Sequence, residues 1–140
     1  MYIEIHPAIV HFPIAFITLA YFFQLLSIII PSKLPKHLNL WVLIPAALST
    51  LPAVLSGQSA KNKLTDICIE AQNTLYKHEL FANITTWSIL ILSIIWIYII
   101  LKGFSNSNTE KLLFAFLTLI FISVLITGYL GGQLVHLWKI

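Results

Sequence analysis

The chain has 140 residues, 59% of them hydrophobic and 9% charged. Soluble domains average about 25% charged residues, and the apolar residues here fall in long blocks that a soluble core does not need. A soluble domain is therefore excluded, and one membrane domain occupies residues 1–140, with no room for a second.

The first span is expected at 8–30, with Gln24 as its one polar amide and no charge. Met1–Pro7 carries no lysine, and the apolar run after it is too long for a signal peptide, so the span is expected to be retained. The second span is predicted at 39–57, with Pro45 and Pro52 inside it and a kink or widened turn expected there. The polar stretch 58–77 carries Leu64, Ile67, Cys68, Ala71 and Leu75 at helical spacing. That pattern predicts a short amphipathic helix on the membrane surface between spans two and three. The third span is predicted at 79–101 and the fourth at 111–138, with Gly103 as a helix stop before a Ser-Asn turn. The expected fold class is all-α, an integral membrane four-helix bundle. No internal repeat stands out.

The net charge of +3 comes from lysine alone, because the chain lacks arginine. Scattered lysines make no basic stripe, so nucleic acid is not an expected partner. Cys68 is the single cysteine, which rules out an internal disulfide, a Cys-rich zinc site and the covalent attachment of a c-type haem. Lys33, Lys36, Lys102 and Lys111 lie in the short loops one and three, whereas Lys61 and Lys63 lie in a longer connection with acidic neighbours. The positive-inside bias acts best on short loops, so both termini are expected outside, on the periplasmic side of a bacterial inner membrane.

Histidine carries the functional signal. His6 and His11 open the first span, His78 opens the third, and His136 closes the fourth. Alternate spans run in opposite directions, so these four converge on one membrane face and only His37 belongs to the other. Each alone reads as an interfacial polar residue. Together they suggest an imidazole site, because neutral imidazole is the common nitrogen ligand for transition metals, haem iron included. His11 and His78 are the first-choice axial pair, with His136 next. His6 stands about 140° from His11 on an ideal helix, so it is a second-site ligand or a contact for a haem propionate. Thr127-Gly128-Tyr129-Leu130-Gly131-Gly132 is the second clue. Gly128 and Gly132 form G-x-x-x-G, which admits either a neighbouring helix or a flat cofactor; Gly131 and Gly132 permit a bend before His136. Phe12 is a candidate to pack on a porphyrin edge, although aromatics at this end also make an interfacial belt.

The opening His6-Pro7-Ala8-Ile9-Val10-His11-Phe12-Pro13-Ile14 and the late Thr127-Gly128-Tyr129-Leu130-Gly131-Gly132-Gln133-Leu134-Val135 resemble the two motifs of an uncharacterised family of small four-helix membrane proteins. The likeness spans essentially the whole chain. It implies a haem-binding fold, since such proteins occur beside cytochromes and other redox modules. In the family pattern an aromatic residue and then histidine-glycine follow the second motif. Here His136 takes the aromatic position and Trp138 the histidine position. His136 is then either a ligand in a shifted register or a sign that this site is lost.

The leading expectation is a protein with haem b acting in electron transfer, with quinone or a periplasmic redox protein as partner, alone or as part of a homo-oligomer or larger complex. A stand-alone enzyme is not expected, because no nucleophile–base pair or nucleotide motif is present. The alternatives are a copper or zinc site on His11, His78 and His136, completed by Glu4 or Glu79, and a non-catalytic accessory subunit.

Overall fold

A computed structural model describes residues 5–31, 35 and 37–140. Tyr2, Glu4, Lys33 and Lys36 lie outside the described residues. Four helices account for the architecture: α1 (Ile5–Ile29), α2 (Leu38–Lys61), α3 (Ile69–Leu101) and α4 (Ser107–His136).

All four are long and apolar enough to cross a membrane. Only 22% to 33% of the most apolar window of each helix is buried in the bundle, and many of its leucines, isoleucines and phenylalanines are exposed. Water would not tolerate that surface, whereas lipid requires it. A span in lipid must satisfy its own backbone. That requirement overrides the β-branched content of α3 and makes it helical.

The region between spans two and three differs from expectation. No separate amphipathic helix joins spans two and three, because residues 69–77 form the first turns of α3 itself. Once a helix is nucleated, each added residue gains a hydrogen bond, so the polar approach and the apolar span join into one rod of 33 residues. The connection shrinks to residues 62–68. Likewise α2 runs on to Lys61 and is continuous through Pro45 and Pro52, with no widened turn. Hydroxyls in this stretch fold back onto their own helix: half-buried Ser49 Oγ donates to Ala46 O at 2.8 Å and buried Thr50 Oγ1 to Ala47 O at 2.6 Å.

The α3–α4 turn is closed by local chemistry. Gly103, at φ 69°, lets its own N–H reach Ile100 O at 3.1 Å and that of Phe104 reach Ile99 O at 2.9 Å, a Schellman ending. Asn106 then caps α4, its side chain accepting from Asn108 N and Thr109 N while Thr109 Oγ1 accepts from Asn106 N. Asn106→Ala is expected to cost about 1 kcal/mol, read as a lower thermal midpoint in detergent with the bundle otherwise intact.

The helices form a closed ring. Consecutive helices pack together, α4 returns to α1, and the backbones of the diagonal pairs stay more than 8 Å apart among the described residues. The core holds Ile17, Leu43, Ile89, Trp96 and Leu117, all nearly inaccessible. Tyr21 stacks between Phe114 and Phe121, at centroid distances of 5.2 and 4.5 Å, and seals the α1–α4 seam.

The end away from the four histidines is closed by a polar cluster. Gln24, fully buried, donates through Nε2 to Glu110 Oε2 at 2.7 Å and to Glu110 O at 3.2 Å, and it accepts from Asn39 Nδ2. Ser105 Oγ donates to Glu110 Oε1 at 2.9 Å. Three helices are tied together there by side-chain hydrogen bonds.

Candidate functional site

The opposite end carries the histidines. His78 sits nine residues into α3, half-buried, with Nδ1 at 3.0 Å from Thr127 O on α4. A carbonyl only accepts, so Nδ1 carries the proton and the ring lone pair lies on Nε2. The ring rests on Gly131: a Cβ built there would stand 3.1 Å from His78 Cε1. Gly131 is therefore a glycine because an imidazole occupies its side-chain space.

His6 repeats this arrangement on the other hairpin. It is half-buried on α1, with Nδ1 at 2.9 Å from Ser56 Oγ on α2. The Ser56 hydroxyl donates to Ala53 O at 2.9 Å, so it accepts from His6 Nδ1–H. A Cβ on Gly57 would stand 3.0 Å from His6 Cε1.

The remaining candidates are placed differently. His11 is exposed, and its Nδ1 bonds Pro7 O in its own helix. His136 is exposed at the last residue of α4. Phe12 is 61% exposed and faces away from the core. Among the described residues a Cβ on Gly128 or Gly132 would meet nothing within 4 Å, so no described helix packs on the G-x-x-x-G pair. Among the described residues no three of His, Cys, Asp and Glu converge to hold one ion, so His11, His78 and His136 are not gathered into a metal centre. Glu79 is instead paired with Lys61, at 2.8 Å.

Sequence reasoning missed Ser56, Gly57 and the carbonyl of Thr127. Gly57 had a readable signal: it closes the second span at the same membrane level at which His6 opens the first.

Fold and site together define a small polytopic membrane protein with two glycine-seated imidazoles at one end. Residues 2–140 match the family model of a predicted membrane protein, DUF2231, and the chain belongs to that family. Neither the curated proteins nor the solved structures contain a match to it.

Proposed function

We propose that this protein holds a b-type haem at the histidine end of the bundle and passes electrons to or from a partner, a quinone in the bilayer or a redox protein on the periplasmic side of a bacterial inner membrane. The carrying observation is the setting of His78. Its Nδ1–H is anchored on a backbone carbonyl, which orients the ring and presents Nε2, the preparation given to a histidine that ligates a metal. Gly131 leaves the ring space that any side chain would take. A haem would supply a one-electron iron couple, tuned by its axial ligands and by the apolar surroundings. The chain's part is to hold, orient and shield it.

A reduced-minus-oxidised visible spectrum of the protein purified after haem-supplemented expression tests this reading, with a pyridine haemochrome assay for stoichiometry. Sharp α and Soret bands are expected. A colourless protein overturns the proposal.

The orientation has its own test. Cys68, exposed in the α2–α3 connection, lies at the same end as His6 and His78. A membrane-impermeant maleimide is expected to label it in spheroplasts. Labelling only after lysis would put the histidine end in the cytoplasm.

A further inference from the structure

The two hairpins carry one pattern twice. In α1 the buried residues are Pro13, Ile17, Ala20 and Gln24, and adding 72 gives Thr85, Ile89, Leu92 and Trp96, all buried in α3. The same shift takes His6 to His78. In α2, adding 74 to the buried Asn39, Leu43, Ala46 and Thr50 gives Leu113, Leu117, Ile120 and Val124, all buried in α4. That shift takes Gly57 to Gly131. Within each helix these positions lie 7, 11, 14 and 18 residues from the histidine or glycine, all within about 40° of one helical face. His6 and His78 therefore belong to the core-facing stripes, and His11 does not.

Four facing stripes define layers. The end layer is His6, Gly57, His78 and Gly131, two imidazoles alternating with two glycines around the ring. Beneath it come Val10, Ala53, Ala82 and Thr127, all small, and then Pro13, Thr50, Thr85 and Val124. The ring of contacts has the same symmetry: α1–α2 and α3–α4 are the closer pairs, α2–α3 and α4–α1 the looser ones. A pseudo-twofold axis along the bundle exchanges the hairpins, a parallel repeat of the kind seen in other membrane folds.

We infer that His6 and His78 are a matched pair of ligands, one from each hairpin, to a single haem on this pseudo-twofold axis. The inference rests on the haem reading above and deepens it by naming the second ligand and the stoichiometry. The two axial positions of a haem are exchanged by a twofold axis in the porphyrin plane, so ligands exchanged by the bundle axis match them. His11 has no counterpart, because adding 72 gives Asn83.

The full-length protein and its His6→Met, His78→Met and His11→Met variants, each expressed with added haem, supply the test by haemochrome stoichiometry, visible spectrum and redox titration. One haem per chain is expected in the parent. His6→Met and His78→Met should change the α band alike and raise the reduction potential, as histidine–methionine ligation does, or lose haem alike. His11→Met should match the parent. Gly57→Ala and Gly131→Ala, which push a methyl against His6 and His78, serve as milder variants and should perturb the spectrum equally. Bound haem that ignores His6→Met but responds to His11→Met overturns the pairing and leaves the haem reading standing, as do two haems per chain or a response to Gly131→Ala without one to Gly57→Ala. A parent that binds no haem takes both down.

Discussion

Gln24→Leu is expected to lower the thermal midpoint of the detergent-solubilised protein by roughly 5–10 °C, for a cost of about 2–3 kcal/mol. Leucine keeps the volume, so no large cavity opens in the core. What is lost is the partner of two other groups: Asn39 loses its acceptor, and the Glu110 carboxylate loses a buried donor at 2.7 Å. A buried polar group left without a partner costs about 1–3 kcal/mol. Interhelical hydrogen bonds in membranes average nearer to about 0.6 kcal/mol, because the unfolded spans find other partners. Several bonds fail at once here, which places the sum above the membrane average and in the upper part of the range for a single stranded group. Adding Asn39→Leu should return part of the loss by removing one stranded group. An unchanged midpoint in Gln24→Leu would show that the cluster is ornamental.

His78→Gly is expected to abolish haem retention, and free imidazole at millimolar concentration should restore the spectrum by occupying the vacated ring site. Rescue separates a ligand from a packing residue, since a merely collapsed α3–α4 interface would not be repaired by a small molecule. The variant should also lose the part of its thermal stability that bound haem supplies by mass action. His136→Ala, altering an exposed residue at the end of α4, is expected to keep both spectrum and midpoint. Haem bound with an unaltered spectrum in His78→Gly would remove His78 from the site.

The four spans were legible because length and apolarity alone dictate them in a bilayer. Rotation was not. A lipid-facing side chain and a core-facing one are equally apolar, so the periodicity that marks the buried face of a soluble helix is nearly absent. That is why the sequence favours His11, one turn deeper in the span, over His6 as a ligand. Depth does not decide burial; the face does, and His11 points away from the stripe of Ile17 and Gln24. The repeat escaped notice for a related reason. Equivalent positions share burial and not identity: Gln24 matches Trp96, and Ala20 matches Leu92. The glycine motif admits a close neighbour at Gly128, Gly131 and Gly132. Only Gly131, however, has that neighbour, and it is the chain's own imidazole.

The polar cluster around Gln24 also decides where the bundle can yield. At that end a buried bond from Gln24 to Glu110 fastens the first hairpin to the second. At the histidine end, among the described residues, the side-chain hydrogen bonds of His6 and His78 stay inside their own hairpins. There the hairpins are joined to each other through the half-exposed Lys61–Glu79 pair, worth no more than about 1 kcal/mol. Among the described residues the two hairpins are therefore fastened by buried side-chain hydrogen bonds at the glutamine end and, beyond their apolar packing, by one surface ion pair at the imidazole end.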